Sequence, residues 1–532
     1  MSTSTPNAIS KSYPDSIVVE YNNYLSSKGK FHVPNKHKMC NSTLTGAYKG
    51  LDKYNKAPTP DFDSDVFASA VEDVVDHLSV FHDSCSYTEP MDVQFPGGTS
   101  PGPVFTHNKI RTKRDAYRQP QSRDYIEEYA SELYDDTPVL MKGCAKRELL
   151  PKEKVDVSNI RLFIVVPLTL LHLTGSLLYS MHKLFVEPVF RKVSGFCCGI
   201  SFAYGGFTNL MSWLSELPCY IEGDCSKYDA GPMDFLYWAC AYICYHLWDK
   251  KGISEQEWWD RMNAIVRESI FSHVVMPDGF LFKLFKGTKS GQLMTTDWNC
   301  LIHKLILAFM WRILFGRSLY RPYTDANGVE HPMDWNNKIR VAIYSDDHIL
   351  SCTEDIYKVL TFENRAKCYA MLGFTLKRDD DRMSRDLEGH SFLGMTVQRQ
   401  GGIFVPVFSY DRAVDGMLHA QRKEKDPAEQ MQMIMDRAYS YLLLCAFNDR
   451  GWTYFHGLIK YAIAAGYPMP SGRHCIAGLD QVPVYNRALS RISAQNFWLG
   501  RESSGPWVSG YFDPSLDDEM PDFVEYLEAS GF

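Results

Sequence analysis

The run of apolar and polar positions divides the chain into stretches of different texture. Residues 1–60 are polar, broken by several prolines and glycines, and predict an irregular extension that wraps other parts of the chain. Over 61–85, Val66, Phe67, Ala70, Val71, Val74 and Val75 recur at helical spacing and predict an amphipathic helix. A Gly- and Pro-rich loop, 95–103, follows. After it comes a basic stretch with Lys109, Arg111, Lys113, Arg114, Arg118 and Arg123, whose plain reading is a solvated face. Leu162 to Tyr179 is apolar for nearly the length a bilayer requires. Pro167, His172 and Gly175 interrupt it, and Arg161 and His182 bracket it, so a buried strand followed by a core helix is predicted in place of a membrane span.

From 216 to 400 the pattern changes to short strands and tight turns. Val274–Met276 and Phe280–Phe285 flank Pro277-Asp278-Gly279 and predict a hairpin. Arg340–Tyr344 and His348–Cys352 flank Ser345-Asp346-Asp347 and predict a second. Glu354–Leu372 reads as one helix stopped by Gly373. The last 130 or so residues turn helical. Asp426-Pro427-Ala428-Glu429 is a strong helix start, with Asp as N-cap and Pro at the first position. Trp452–Ala465 reads as a further helix closed by Gly466, and the tail from Asp513 is acidic. No internal repeat is visible. The order is mixed α/β, a β-rich centre, then an α-rich end.

Composition adds limits. The 532 residues are 45% hydrophobic and 23% charged, ordinary for a globular protein of several subdomains. A net charge of −8 excludes a uniformly basic nucleic-acid binder but leaves room for a local basic channel. The fourteen cysteines are scattered without a repeated C-x-x-C pair, which fits a reducing compartment better than a disulfide scaffold or zinc site. Met1 precedes a polar stretch, and no signal peptide is expected.

Two acidic clusters carry candidate chemistry. One is Glu222-Gly-Asp224-Cys-Ser-Lys-Tyr-Asp229, and the other is Asp346-Asp347 between two apolar strands. Adjacent carboxylates at the tip of a buried hairpin repel one another, and a divalent cation is the usual remedy. Mg²⁺ takes hard oxygen ligands, and two such ions can clamp the attacking and leaving oxygens of a phosphoryl transfer. Taken alone, Ser-Asp-Asp is more often a solvated turn. Between the clusters, Gly287-Thr-Lys-Ser290-Gly291 opens a helix on which Thr295 and Asn299 share a face. Such a glycine loop can approach a nucleic-acid backbone closely, and Thr and Asn can bond a sugar hydroxyl.

In order and spacing these elements resemble the palm motifs of viral RNA-dependent RNA polymerases of picornavirus-like type. Asp224-x4-Asp229 resembles motif A, Ser290-Gly291 with Thr295 and Asn299 motif B, and Ser345-Asp346-Asp347 motif C. Lys146-x-Glu148-Leu149, Lys154-Val155 and Arg161-Leu162 are similar to the fingers motif F. Thr99-Ser100-Pro-Gly102-x-x-Phe105 is similar to motif G, Met371–Lys377 to motif D, and Ser391-Phe392-Leu393-Gly394 to motif E. The resemblance spans about residues 99–395. It departs at Ser345, where Gly is usual, at Leu150 and Asn159, where basic residues are common, and after Phe392-Leu393, where a basic pair is absent.

The resemblance implies an α/β (α+β) protein, a closed right hand with fingers, palm and thumb, the palm built on an antiparallel sheet. Its implied divisions are 1–60 N-terminal extension and fingertips, 61–215 fingers, 216–240 palm with motif A, 241–285 fingers, 286–400 palm with motifs B to E, and 401–532 thumb. It implies a nucleotidyltransferase of viral RNA replication with Mg²⁺ (Mn²⁺ as substitute) on Asp224, Asp346 and Asp347, and Lys377 as the nearest counterpart of the motif D proton donor. Lys146, Lys154, Arg161, Asp229, Ser290, Thr295 and Asn299 are the implied nucleotide contacts. Thr99, Ser100, Gly102 and Gly291 are the implied template contacts. Implied partners are RNA template and primer, ribonucleoside triphosphates and other viral replication proteins, in the host cytoplasm on membranes reached through those partners. Tyr344-Ser-Asp346-Asp347 also fits the reverse-transcriptase pattern. Asp229, however, stands where such an enzyme carries a bulky aromatic, and a carboxylate there can accept a bond from a 2′-hydroxyl. A catalytically dead RNA-binding scaffold would have no need of clustered acid. A metal-dependent nuclease would explain the acids but neither the Ser290–Asn299 loop nor the Lys146–Arg161 run.

Overall fold

A computed structural model describes residues 15–28, 34, 36–40, 43–55, 59–135, 137–419, 424–471 and 491–501. It is a mixed α and β protein, about half helical with several small sheets. The sheet that matters most is antiparallel and has four strands, in the order Ile339–Tyr344, Asp347–Cys352, Cys219–Gly223, Arg382–Ser384. Its residues divide between two hydrophobic cores. Val341, Ile343, Leu350 and Ile221 belong to the larger one, and Ala342, Ile349 and Tyr220 to the other. A sheet buried on both faces needs apolar residues at consecutive positions, which is why the three inner segments 341–343, 349–350 and 219–221 read as apolar runs.

The larger core is organised around the helix Thr295–Phe315, which packs on Ser64–His77 and on the sheet. Among the described residues it is the one helix long and apolar enough to cross a membrane, and 78% of its apolar window is buried within the protein, as in a core helix. The 162–179 stretch forms the strand Leu162–Val165 and the helix Leu168–Phe185, as expected. That strand joins a second four-stranded sheet with Leu140–Ala145, His273–Val275 and Leu281–Lys283, the last two being the expected hairpin around Asp278.

The described part of the first 60 residues differs from the expectation of an irregular wrap. Ser16–Ser27 and Leu44–Asp52 are helices. Ile17, Val18, Tyr21 and Leu25 form a narrow buried stripe within a polar sequence. They join the second core, where Tyr21 packs against Tyr454 and Tyr461, and Tyr454 donates to Asn22 at 2.7 Å. The chain then crosses the molecule. The Lys36 and His37 N–H groups donate to Asp415, and His37–Met39 pairs with Leu149–Pro151. Leu44–Asp52 then packs on Leu140–Ala145 and Leu162–Val165. A Cβ at Gly50 would lie 2.7 Å from that of Leu162, so the approach needs glycine. The extension therefore ties the C-terminal helices to the strands that follow the basic residues.

Two further boundaries change. Glu354–Leu372 is two helices, Glu354–Val359 and Phe362–Met371. Thr361 between them caps the second by accepting the Asn364 N–H, and Arg365 Nε holds the freed Leu360 carbonyl at 3.0 Å. The helix expected at Trp452 starts at Asp449, because Asn448 accepts the Gly451 N–H. Pro427–Leu444 begins at its Asp426 cap as expected. The thirteen described cysteines are free thiols. The acidic tail from Asp513 lies outside the described residues.

Candidate active site

Strand register brings the two acidic clusters together. Tyr344 pairs with Asp347 across the hairpin, and His348 pairs with Gly223 on the next strand. Asp224 therefore leaves its strand beside Asp346 and Asp347, at one end of the sheet. The turn has a backbone demand, since Ser345 has φ +59°, a region that favours glycine. Here the serine is tied down by one helix. Asn299 Nδ2 donates to its Oγ at 3.0 Å, its N–H donates to Cys300 Sγ at 3.1 Å, and His303 Nδ1 meets its carbonyl at 3.2 Å.

The carboxylates are crowded. Burial first, then the charges of Asp229 and Asp224, push Asp346 up to about 6, against the opposing pull of Arg161. Asp347 is pushed up to about 7 by burial, with Asp346, Glu222 and Asp224 adding; the Leu393 N–H, which donates to it at 2.7 Å, works against the shift. Asp229 keeps accessible surface although protein closes around it, as at the floor of a deep cleft. Burial raises its pKa, opposed by Arg161, by its bond from Asn299 at 3.1 Å, and by Lys146.

Asp224 is turned onto Lys377. The ammonium bonds its carboxylate, and the Lys377 N–H donates to its main-chain carbonyl at 2.9 Å. Burial alone would lower the Lys377 pKa, but the bonds and charges of Asp224 and Asp380 outweigh it and leave the group above its ordinary value. Among the described residues no three His, Cys, Asp or Glu side chains are gathered into a ready cation cage. The donor set nonetheless fits a hard divalent ion: carboxylate oxygens close together, with the pKa values of Asp346 and Asp347 raised by burial first and by neighbouring carboxylates next.

A basic wall faces this acidic end. Lys146 and Arg161 flank Glu148, each at 3.7 Å, with side chains 47% and 69% exposed. Lys53 joins them, its pKa lowered by burial and then by the charges of Lys227, Arg161 and Lys154. The sequence reading missed Lys53, which lies just past the helix Leu44–Asp52 in the extension, with no local signal to mark it.

The loop residues meet at one corner. Ser290 Oγ accepts the Ile164 N–H at 3.3 Å, and a Cβ on Gly291 would lie 2.4 Å from the Ile164 carbonyl oxygen. Gly102, at φ +100°, crosses Pro167 equally closely, with 2.5 Å from a Cβ to Pro167 Cα. Thr99 and Ser100 are exposed just before it, with Thr99 Oγ1 donating to the Pro96 carbonyl and Ser100 Oγ accepting the Gly102 N–H. The Thr295 hydroxyl lies 2.9 Å from the Lys289 carbonyl oxygen and 3.0 Å from that of Gln292. Asn299, fully buried, links Asp229 to Ser345 while its Oδ1 accepts from Thr288 at 2.9 Å.

The family profile described as viral RNA-dependent RNA polymerase matches residues 19–463, most of the chain. The chain belongs to the viral RNA-dependent RNA polymerases. It is therefore an RNA-directed RNA polymerase by family, a nucleotidyltransferase of viral replication, and membership implies the polymerase fold and divalent-metal use. The viral polymerase is similar to genome polyproteins of plant viruses. It is 24% identical over 411 residues to that of Turnip mosaic virus (strain Quebec), covering 74% of this chain and 11% of the polyprotein. It is 23% identical over 411 residues to that of Lettuce mosaic virus (strain 0 / isolate French), covering 76% and 12%. With Peanut mottle virus (strain M) the identity is 25% over 430 residues, covering 79% and 13%. The chain thus spans about an eighth of the length of the curated relatives it matches.

Proposed function

We propose that this polymerase extends an RNA 3′ end from ribonucleoside triphosphates, with Asp224, Asp346 and Asp347 as its catalytic carboxylates. The single observation that carries the reading is the meeting of Asp224 with Asp346-Asp347 at one end of the sheet, beside Asp229 and Asn299. Mg²⁺, with Mn²⁺ as substitute, would be held by the three aspartates, where it would lower the pKa of the attacking hydroxyl and neutralise the leaving pyrophosphate. Asp224 must leave Lys377 to take part. Lys377, freed and protonated, is then a proton donor for the leaving group.

Lys146, Lys154 and Arg161 meet the triphosphate, and Lys53 joins them. Asp229 accepts at the ribose 2′-hydroxyl and Asn299, whose two Nδ2 hydrogens go to Asp229 and Ser345, orients that carboxylate, while Thr295 and Ser290 hold the loop beneath the nucleotide. Thr99, Ser100, Gly102 and Gly291 guide the template at the corner formed by Ile164 and Pro167. The hand is a right hand divided as the sequence resemblance implies, its fingers closed onto the thumb by the extension. We also propose that the chain is released from a polyprotein and acts with other viral proteins in the host cytoplasm, at membranes reached through those partners.

Primer extension on a defined RNA template with Mg²⁺, with and without primer and with ribo- or deoxyribonucleoside triphosphates, tests this. Template-dependent incorporation of ribonucleotides is expected. Preference for deoxynucleotides, or no incorporation, would refute it.

A further inference from the structure

Ser345 is the residue on which the catalytic turn pivots, and all three of its polar groups are held by the helix Thr295–Phe315. Asn299 and Cys300 take the side-chain oxygen and the N–H. The carbonyl is left to His303, one turn further along. A carbonyl oxygen only accepts, so His303 Nδ1 carries the proton and donates it. In an uncharged ring Nε2 must then accept, and the Tyr369 hydroxyl lies 3.1 Å from it. The next carbonyl, that of Asp346, meets His348 Nδ1 at 3.3 Å by the same logic. The two imidazoles lie 4.3 Å apart, centre to centre, and both are buried. A packed helix thus reaches through one histidine to the main chain of a residue whose backbone conformation is unfavourable without support.

We propose that His303 is a positioning residue of the polymerase reaction: through the Ser345 carbonyl it fixes the turn that aims Asp346, and Tyr369 fixes its tautomer. The inference rests on the reading of Asp346 as catalytic. His303 is part of the framework beneath the turn, so its loss misaims a carboxylate without removing a substrate contact. Misplacement of a reacting group by about 1 Å costs on the order of a hundred-fold in rate.

The test compares His303→Asn, His303→Leu, His303→Gln and Tyr369→Phe in the full chain by primer extension, with kcat, the nucleotide KM and Tm measured for each. Asparagine keeps a donor at the position of Nδ1, glutamine only at that of Nε2, and leucine neither. His303→Leu and His303→Gln are expected to lower kcat about ten- to a hundred-fold, with KM within about two-fold of the parent. His303→Asn is expected to restore most of kcat although its Tm falls as far as that of the leucine variant. Equal kcat in the asparagine and leucine variants, or parental kcat in the leucine variant, overturns the proposal. If the leucine variant does not fold, Tyr369→Phe decides. A kcat lowered several-fold at constant KM supports the proposal, and a parental kcat overturns it. An active Asp346→Ala control would instead overturn the reading of the site itself.

Discussion

The acidic end of the central sheet and the basic wall facing it are built in opposite ways. The carboxylates are fixed by main chain: strand register aligns Gly223 with His348, a two-residue turn carries Ser345 and Asp346, and the Leu393 N–H holds Asp347. The cations come from separate segments, and two of them, Lys146 and Arg161, sit on long, half-exposed or exposed side chains in loose pairs of 3.7 Å with Glu148. Coulomb attraction between such exposed pairs contributes little to the fold. On the proposed reading, what the wall gains is readiness: its charges can turn to an incoming triphosphate at small structural cost. On that reading one region is pre-organised for a reaction, and the other waits for its ligand.

The largest expected effect comes from breaking the fixed side. Asp224→Ala should lower incorporation about a thousand-fold while leaving RNA affinity within a few-fold, measured by single-turnover extension and filter binding. Arg161→Ala should do something different, raising the nucleotide KM about ten-fold with a smaller fall in kcat. Lys53→Ala should raise KM only a few-fold, because three other cations share the task. If Lys53→Ala left KM unchanged at low salt, the extension would have no part in the wall.

The contrast also has a pH signature. A carboxyl whose folded pKa stands above its ordinary value of about 3.9 binds its proton more tightly when folded. Asp346 at about 6 and Asp347 at about 7 therefore favour the fold while protonated, and that contribution is lost as pH rises from about 4 through 7. Buried histidines such as His172 and His348, with pKa lowered to about 4, act in the opposite sense, so the signature is read as a difference: relative to Asp347→Asn, the metal-free parent should lose stability across that window, by on the order of 1 kcal/mol after solvent screening. Mg²⁺ should bind more tightly at pH 8 than at pH 6 and release protons as it does so, which calorimetry in two buffers would detect. A parent-minus-variant difference that stays flat from pH 4 to 7 would contradict the crowding of the carboxylates.

The smallest effect is expected at Ser345→Gly. Glycine relieves a positive φ worth about 1 kcal/mol, and loss of the Asn299 bond costs about as much, so thermal stability should change little. A large destabilisation would mean that the side-chain bond dominates the turn.

The same contrast explains what could be read in the sequence. The hairpin around Asp346 and the helix starting at Pro427 were legible because backbone-fixed features keep their spacing along the chain. So were Asp224, Asp229 and Asn299 as a set, since each lies at a fixed step from a strand or helix end. The helix Ser16–Ser27 was hidden, because its narrow stripe gains meaning only against Tyr454 and Tyr461, more than four hundred residues away. Lys53 was hidden for the same reason: nothing in its neighbourhood along the chain reports that Lys154, Arg161 and Lys227 surround it. The break at Thr361 was missed because an internal threonine cap resembles an ordinary helical residue until its bond to Asn364 is seen.

The most direct test of the central claim is Asp346→Ala assayed in parallel for primer extension with Mg²⁺ and for binding of the same primer–template RNA. Extension should fall to background while RNA affinity stays within a few-fold of the parent. Extension at the parental rate would contradict the assignment of this turn as the catalytic centre.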